Sequence, residues 1–177
     1  MGSEERCIDD EIPFKIPSNW RWCRFGTVVN LQSGQDFEPP YYNSYGNGIP
    51  YITGASNIEN EKILINRWTD VPKCIAEKGS LLIVCKGAGV GKMAVLQEDQ
   101  AHIARQIMGI ISIKCNLNYL KIVLSYNLSF LRSNMQGVIP GISRDDVLSI
   151  LFPHPPLAEQ ERIVLKIEEL LPLIKMA

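Results

Sequence analysis

The chain has 177 residues, of which 46% are hydrophobic and 21% are charged, values typical of a folded globular domain and not of a disordered segment. No apolar run reaches the roughly 18 residues that a membrane span needs, and no signal peptide opens the chain, so we expect a cytoplasmic protein. The five cysteines are scattered without a paired C-x-x-C spacing, which argues against a disulfide framework or a zinc site. We therefore predict reduced thiols, no metal and no other cofactor.

The charge of the chain is unevenly distributed. The formal net charge is −1, but residues 13–156 contain 14 Lys and Arg against 10 Asp and Glu, a net charge of +4. The two flanks together have 4 Lys and Arg against 9 Asp and Glu, a net charge of −5. A mildly basic body between acidic ends is compatible with contact to DNA phosphates, although +4 by itself is weak support.

The first 20 residues predict a polar lead-in followed by an extended segment. Residues 1–12 are polar and acidic, which is typical of a linker or a tag. The segment from Pro13 to Pro17 is expected to be extended, because each proline disfavours helical geometry in the residue before it. Trp20 and Trp22 fall on one face of a possible strand, where we expect them to pack on the core.

Short apolar segments separated by glycines and prolines predict several β-strands. The clearest is Gly79–Cys85, a continuous apolar run with glycines at its boundaries, which is typical of a buried strand. Many short strands without alternating helices indicate an α/β (α+β) fold with a curled mixed β-sheet and flanking helices. The other predicted strands are Ile49–Ile52, Met93–Leu96 and Ile107–Ile113.

Two helices are predicted from apolar residues at spacings of three and four. The first covers Leu117 to about Met135. The second begins after Pro156 and continues towards the C-terminus, with Pro172 expected to break or kink it. Its apolar seam, typical of a coiled coil, has no covering segment in this sequence, so another chain or a further segment should cover it. The seam residues, predicted to form a subunit interface, are Ile163, Ile167, Leu170 and Ile174.

One segment has a sequence that is too long and unusual to match a protein family by chance. The run from Leu151 to Val164, LFPHPPLAEQERIV, resembles the segment that closes the target recognition domains of type I restriction-modification specificity subunits. Further segments resemble that family in the same order, although Phe152-Pro153-His154 departs from its usual Leu-Pro-Leu. They are Ile16–Trp20 (IPSNW), Ile49–Ile52 (IPYI), Gly79–Leu82 (GSLL) and Gly87–Lys92 (GAGVGK).

The resemblance implies a domain organisation and a function. Residues 13–155 would form one DNA target recognition domain, and residues 156–177 would begin a conserved coiled-coil spacer helix. The domain would read one half of a split target in double-stranded DNA. Its partners would be adenine methyltransferase subunits, a motor-nuclease subunit, and a second recognition half or a second copy of the chain bound through the C-terminal helix. The chain itself would perform no chemistry.

The residues themselves point to the same absence of catalysis. Asp145-Asp146 and Glu168-Glu169 are adjacent pairs that would not face each other on a helix, so acid–base catalysis is not expected. The sequence also lacks the glycine-rich and N-P-P-Y-like segments of an adenine methyltransferase. We predict no catalytic residues.

The glycine-rich loop at Gly87–Lys92 allows two interpretations. A phosphate-binding loop of the G-x-x-x-x-G-K-[ST] type would need glycine at Lys86 and Ser or Thr at Met93, and the glycine spacing does not fit a dinucleotide site. The loop is therefore either a tight turn that brings backbone N–H groups and two lysines to a DNA phosphate, or a purely structural hairpin turn. A nucleotide-binding or DNA-modifying enzyme fragment that uses this loop is the alternative function.

Polar side chains in the predicted loops are the remaining candidates for contact with DNA. Arg105 and Gln106 have the donor geometry for guanine and adenine edges, although a surface salt bridge would equally explain Arg105. His102 is expected to be a hydrogen-bonded loop histidine, and Ser143 to cap a short helix that begins at Arg144. The predicted DNA-binding residues are Ser33, Gln35, Thr53, Ser56, Asn57, Lys86, Gly87, Lys92, Arg105, Gln106, Gln136 and Arg144.

Overall fold

The computed structural model describes residues 7–87, 89–134 and 141–175. The predicted mixed α/β fold is confirmed, with short strands in the first two thirds of the chain and helices mainly in the last third. The strands are β1 (Arg21–Arg24), β2 (Val29–Ser33), β3 (Ile49–Ile52), β4 (Ile58–Glu59), β5 (Lys62–Ile63), β6 (Trp68–Thr69), β7 (Ile75–Glu77), β8 (Leu81–Val84), β9 (Met93–Val95), β10 (Gln100–Ile103), β11 (Ile107–Ser112) and β12 (Leu151–His154). The helices are α1 (Leu117–Asn134), α2 (Arg144–Leu148) and α3 (Leu157–Lys175).

The β-structure is divided between two four-stranded sheets and two strand pairs. One sheet has the order β2-β11-β8-β9 and is antiparallel throughout. The other has the order β6-β3-β10-β7 and is mixed, because β3 and β10 run parallel. Strands β4 and β5 form a hairpin. Strands β1 and β12 form a separate antiparallel pair, with Arg21 opposite His154 and Arg24 opposite Leu151.

Strand β8 lies between two hydrophobic cores, which explains its continuous apolar sequence. All four of its residues are fully buried. Leu81 and Ile83 belong to the core that includes Phe25, Phe152 and the apolar face of α1, whereas Leu82 and Val84 belong to the core between the two large sheets. Because successive side chains of a strand point to opposite faces, a strand buried on both faces shows no polar alternation.

Polar side chains cap the starts of α1 and α2, and the cap predicted at Ser143 is present. Ser143 caps α2: its hydroxyl accepts from the backbone N–H of Asp146 at 3.1 Å, and the Asp146 carboxylate accepts from the N–H of Ser143 at 2.8 Å. The side-chain oxygen of Asn116 accepts from the N–H groups of Asn118 and Tyr119 at 3.0 and 3.1 Å, which closes the first turn of α1. Each cap satisfies backbone donors that the helix itself cannot pair.

Helix α3 continues through Pro172 to Lys175, so the break expected at the proline does not occur. A proline in a helix removes only the hydrogen bond that its own nitrogen would donate to the carbonyl four residues earlier. The loss of this one bond does not end α3, which the structure describes as helical through Lys175. In the described part of the chain, none of the helices combines the length and apolar character needed to cross a membrane.

Candidate nucleic-acid interface

Five loops that are distant in sequence meet at one end of the two large sheets. They are residues 34–36, 53–57, 86–92, 104–106 and 141–144, with Ala88 not described, and we call them the loop cluster. All the predicted DNA-binding residues except Ser33 and Gln136 fall within these loops. Ser33 is the exposed last residue of β2, directly before the first loop. Gln136 lies outside the described residues.

Backbone hydrogen bonds join the first, second and fourth of these loops. The N–H of Gly34 donates to the carbonyl of Ile107 at 3.1 Å, and the N–H of Gln35 donates to that of Ile103 at 2.9 Å. These two bonds fasten the loop after β2 to the turn between β10 and β11. The N–H of Ala104, in that turn, donates to the carbonyl of Ile52 at 2.9 Å, which adds the loop after β3.

Cys85 connects the remaining loops to the same turn. Its backbone N–H donates to the carbonyl of Gln106 at 2.8 Å, and its own carbonyl accepts from the N–H of Ile142 at 2.8 Å. Its buried Sγ lies 3.2 Å from the carbonyl of Gln106. Burial raises the pKa of the Cys85 thiol, which keeps it protonated and able to donate. Cys85 is therefore a structural residue beneath the loop cluster.

The glycine-rich loop is a tight turn in which three of the N–H groups bond to the chain itself. The N–H groups of Val90, Gly91 and Lys92 donate to the carbonyls of Gly87, Val84 and Gly89 at 3.2, 2.7 and 3.0 Å. A Cβ added to Gly89 would lie 2.2 Å from the Cβ of Ala55, so only glycine allows the two loops to touch. These contacts favour the structural interpretation of the turn and leave its flanking lysines as the groups that could reach a phosphate.

The four basic side chains of the loop cluster differ in how they are held. Lys86 is exposed and forms no ion pair with any described residue. The Nζ of Lys92 donates to the carbonyl of Ile58 at 3.3 Å, and the guanidinium of Arg144 donates to the carbonyl of Leu31. Lys86 is thus the lysine best placed for a new electrostatic contact.

Arg105 forms the surface salt bridge that the sequence allowed. Its Nε lies 2.6 Å from Oδ2 of Asp36, and its backbone N–H donates to Oδ1 at 3.1 Å. The side chain remains 69% exposed. An exposed ion pair of this kind stabilises a protein by only about 0–1 kcal/mol, so it orients the guanidinium without preventing a contact with DNA.

The polar side chains of the loop cluster divide into exposed and internal groups. Gln35, Ser56 and Gln106 are exposed. Asn57 is fully buried: its Nδ2 donates to the carbonyl of Leu64 at 2.7 Å, and its Oδ1 accepts from both the N–H and the hydroxyl of half-buried Thr53 at 2.9 Å. The structure therefore removes Asn57 from the candidate DNA contacts, because its amide holds the loop together from inside.

His102 lies in β10 and not in a loop, which corrects the sequence-based expectation. Its side chain is hydrogen-bonded as expected, but it is fully buried. One ring nitrogen lies 2.8 Å from the carbonyl of Gln35, in the loop cluster. Burial lowers the pKa of the imidazole, so the neutral form is favoured.

One member of each adjacent acidic pair, Asp145-Asp146 and Glu168-Glu169, has a structural contact. Asp146 closes the cap of α2, and Glu169 pairs with Lys166 at 2.9 Å. Within residues 7–87, 89–134 and 141–175, no three His, Cys, Asp or Glu side chains come together in a way that could hold a metal ion. The exposed side chains of the loop cluster are suited to binding a partner through hydrogen-bond donors and acceptors.

Helix α3 is docked on the domain at its start and exposes apolar side chains further along. Val164 is buried in the core and Ile163 packs against it, so Ile163 is covered by its own chain and not by a partner alone. Ile167 is half-buried, and Leu170 is 41% exposed. Leu171 and Leu173 are also exposed. The side chain of Ile174 lies outside the described part of the structure.

The Pro-Pro-Leu-Ala-Glu-Gln segment has a clear structural role at the start of α3. Pro155 is buried, and the carbonyl of Pro156 accepts from the N–H groups of Glu159 and Gln160 at 2.9 and 3.1 Å. The fully buried side chain of Gln160 donates to the carbonyl of Pro155 at 2.9 Å and accepts from the N–H of Asn116 at 2.8 Å. One glutamine therefore ties the start of α3 to the start of α1.

Comparison with known proteins places these features in a family. The family described as "Type I restriction modification DNA specificity domain" matches residues 17–175. The chain is 24% identical to the EcoAI type I restriction enzyme specificity subunit of Escherichia coli, and 25% identical to a putative MjaX type I specificity subunit of Methanocaldococcus jannaschii. Each alignment covers 92% of this chain but only 30% and 39% of those proteins.

Solved structures agree with the sequence match. The HsdS subunit from Thermoanaerobacter tengcongensis superposes with a TM-score of 0.80 at 25% identity, over 93% of this chain and 40% of that one. A chain from a structure of the type I R-M system gives a TM-score of 0.81 at 27% identity, over 93% and 41%. The chain thus spans less than half the length of these relatives, and the resemblance noted in its sequence is confirmed. The chain belongs to the family of type I restriction modification DNA specificity domains.

Proposed function

We propose that this chain binds double-stranded DNA sequence-specifically and reads one half of a bipartite target for a type I restriction-modification complex. The observation that carries the proposal is the loop cluster, which brings exposed donors from distant parts of the sequence to one end of the domain. A surface that combines Lys86 with Arg105, Gln35 and Gln106 offers both charge for phosphates and hydrogen-bonding groups for base edges.

Within the loop cluster the contacts divide by chemistry. Phosphates are contacted mainly by Lys86, with additional contacts from Lys92 and Arg144. These contacts set the position of the domain on the duplex. Gln106 and Arg105 contact base edges in the major groove, where an amide matches adenine and a guanidinium matches guanine. A Cβ on Gly54 would lie 2.4 Å from Oε1 of Gln106, so glycine at this position makes room for that amide.

The proposed function also implies how the chain is divided into parts. Residues 13–155 form the target recognition domain. Residues 156–177 begin a spacer helix, and its exposed apolar side chains form a surface for contact with other subunits. Methyltransferase subunits and the motor-nuclease subunit bind DNA alongside it and carry the chemistry, while this chain contributes recognition. A nucleotide-dependent enzyme is not favoured, because the N–H groups of Val90, Gly91 and Lys92 already bond to the chain itself.

Replacing Lys86 with alanine is expected to weaken binding to all duplexes and to flatten its dependence on salt. Loss of one phosphate contact lowers the slope of log K against log salt concentration by about 0.9. Fluorescence anisotropy with labelled duplexes, at salt concentrations between about 50 and 200 mM, measures this slope. Lys114→Ala is the matched control, because Lys114 is an exposed lysine just beyond the far end of β11. Equal slopes for the two variants would contradict the phosphate role of Lys86.

The sequence-reading part of the proposal has its own test. Mapping methylated adenines in a genome that carries the complete system should reveal a split motif. Exchanging this chain for another member of the family should change one half of that motif and leave the other half unchanged. A continuous motif, or a motif that does not depend on this chain, would exclude half-site recognition.

We expect the exposed end of α3 to bind a second recognition half or a second copy of the chain, so Leu170→Asp should abolish that association. Leu170 is 41% exposed, and a charge there would be buried without a partner in the coiled coil. The control is Leu165→Asp, because Leu165 is 67% exposed and lies roughly 140° away around the helix. Analytical ultracentrifugation, alone and with methyltransferase subunits, measures the association. Equal behaviour of the two variants would mean that this seam is not the interface.

A further inference from the structure

His102 occupies a buried aromatic site directly behind the loop cluster. It lies in β10, opposite Tyr51 of β3 and Ile75 of β7, and its side chain is fully buried. The ring of Phe37 stacks on the imidazole with centroids 4.2 Å apart and an interplanar angle of 22°. The ring of Tyr51 lies 5.0 Å away, and its hydroxyl accepts from the N–H of Phe37 at 3.1 Å. The orientation of the imidazole is therefore fixed.

The hydrogen bonds of His102 determine which nitrogen carries the proton. Its Nδ1 lies 3.3 Å from the backbone nitrogen of Lys73 and 3.2 Å from that of Cys74. Both of these groups can only donate, so Nδ1 is the acceptor and the proton lies on Nε2. That Nε2–H donates to the carbonyl oxygen of Gln35 at 2.8 Å. The neutral ring thus joins the chain before β7 to the first loop of the loop cluster.

The peptide of Gln35 is held from both sides, and the effect extends to Arg105. The N–H of Gln35 donates to the carbonyl of Ile103, and its carbonyl accepts from His102. The next residue, Asp36, binds the backbone N–H and the Nε of Arg105 at 3.1 and 2.6 Å. The buried imidazole thus holds the backbone at Gln35, and the next residue along the chain, Asp36, holds the exposed side chain of Arg105.

We propose that His102 is a positioning residue for sequence recognition: its Nε2–H holds the Gln35 carbonyl and so fixes where Gln35 and Arg105 meet DNA. The proposal rests on the function proposed above. His102 does not touch DNA, because it is fully buried. Its contribution is to reduce the number of arrangements of this loop before binding, which lowers the entropy lost on recognition.

Acid should disrupt this arrangement. Protonation would place a second N–H on Nδ1, directly facing the N–H donors of Lys73 and Cys74. Burial and the Lys73 ammonium lower the pKa of His102, while the Gln35 carbonyl and the Asp36 carboxylate oppose that effect, and Tyr51 is neutral. Because the folded protein favours the neutral ring, the contribution of His102 to the stability of the fold is complete above the pKa of an unfolded histidine, about 6.5. That contribution is lost as the pH falls below this value, because the unfolded chain then takes up a proton that the folded chain does not.

Two substitutions separate the two hydrogen-bonding roles of the ring. In His102→Gln the side-chain amide nitrogen replaces Nε2 and can still donate to the Gln35 carbonyl. In His102→Asn the side-chain oxygen replaces Nδ1 and can still accept from Lys73 and Cys74, but the bond to Gln35 is lost. Both variants remove the aromatic stacking and neither titrates near neutral pH, so they differ in which of the two hydrogen-bonding roles of the ring they keep: Gln keeps the bond to Gln35, and Asn keeps the acceptor for Lys73 and Cys74.

The experiment measures sequence preference and not binding alone. Duplexes selected from a randomised pool by the wild-type chain define its preferred sequence, and competition against a scrambled duplex gives a preference ratio. His102→Asn should reduce this ratio at least about tenfold, the value of one base contact, whereas His102→Gln should stay within about threefold of the wild type. Asp36→Ala, which breaks only the exposed link to Arg105, should give an intermediate loss.

The dependence of the preference ratio on pH provides a second measurement on a folded protein. The wild-type ratio should decrease only when the pH falls below the pKa of the buried His102, which burial holds below the ordinary value of about 6.5, while the ratio of His102→Gln should not change with pH. Equal losses in the Asn and Gln variants, or a wild-type ratio that is constant in acid while circular dichroism shows a folded chain, would overturn the proposal. If the wild-type chain selects no sequence at all, it is the proposed function that fails, and the two failures are distinguishable.

Discussion

Replacing Gln160 with leucine is expected to lower the free energy of unfolding by about 2–4 kcal/mol, because it leaves a buried donor and a buried acceptor unpaired. The N–H of Asn116 and the carbonyl of Pro155 both bond to the Gln160 side chain, which is fully buried. Leucine fills a similar volume but offers neither group a partner. Urea unfolding followed by tryptophan fluorescence measures the loss.

The neighbouring substitution Glu161→Leu is the control for Gln160→Leu. Glu161 is exposed, so the same new side chain on the same helix turn should change the free energy of unfolding by less than about 0.5 kcal/mol. If the two variants unfold at the same urea concentration, Gln160 does not connect the two helices energetically. A lower slope of unfolding against urea in Gln160→Leu alone would show that α3 has separated from the domain before the rest unfolds.

Gly34→Ala is expected to abolish sequence preference in DNA binding. A Cβ at Gly34 would lie 2.2 Å from the carbonyl oxygen of Ala104 and 2.5 Å from that of Ile103. Both neighbours are backbone atoms at the turn between β10 and β11, so the loop after β2 must move away from that turn. Gln35 and Arg105 would move with it, and overpacking of this kind also costs about 1–3 kcal/mol of stability.

Gly79→Ala is the matched control, because it costs stability without changing the loop cluster. Gly79 has a positive φ of 85° and nothing within 4 Å of an added Cβ. It lies before β8, at the end of the sheet opposite to Cys85. The left-handed backbone makes alanine unfavourable by roughly 1–2 kcal/mol, which matches the loss expected at Gly34. Equal preference ratios in the two variants, measured on folded protein, would mean that the close approach at Gly34 does not shape the DNA surface.

The parts of the fold that the sequence predicted are those with long local patterns. Helices α1 and α3 and the buried strand β8 each have an apolar spacing or run that is specific to one structure. The cap at Ser143 was predictable because a hydroxyl three residues before a carboxylate satisfies the first helix donors. Pro172 does not break α3, because a proline inside a helix removes a single backbone hydrogen bond of that helix.

The parts that were not predicted have patterns too short to interpret. Strands β4, β5 and β6 have two residues each, and two residues cannot show alternation. His102 was interpreted as a loop residue because a histidine between polar segments does not indicate burial. Asn57 was interpreted as a DNA contact because a polar loop residue is equally typical of a surface contact and of an internal bond.

The candidate site was predicted as separate loops, and its geometry was not. Cys85 bonds to Gln106 and Ile142, which lie 21 and 57 positions further along the chain. No local pattern encodes such a distance, because it arises only when the sheets have formed. The sequence therefore indicated which residue types could contact DNA, while the structure decides which of them share a surface and which, like Asn57, hold it together.

The pairing of β1 with β12 bears on how this domain can be exchanged. Arg21 lies opposite His154, so the segment between β1 and β12 begins and ends at the same place, with the loop cluster folded between these two points. Replacing the intervening segment with another that ends in the same strand pair requires no change in the path of the flanking chain. Under the function proposed above, exchange of the segment between β1 and β12 would alter specificity, while α3, which follows β12, would keep its direction.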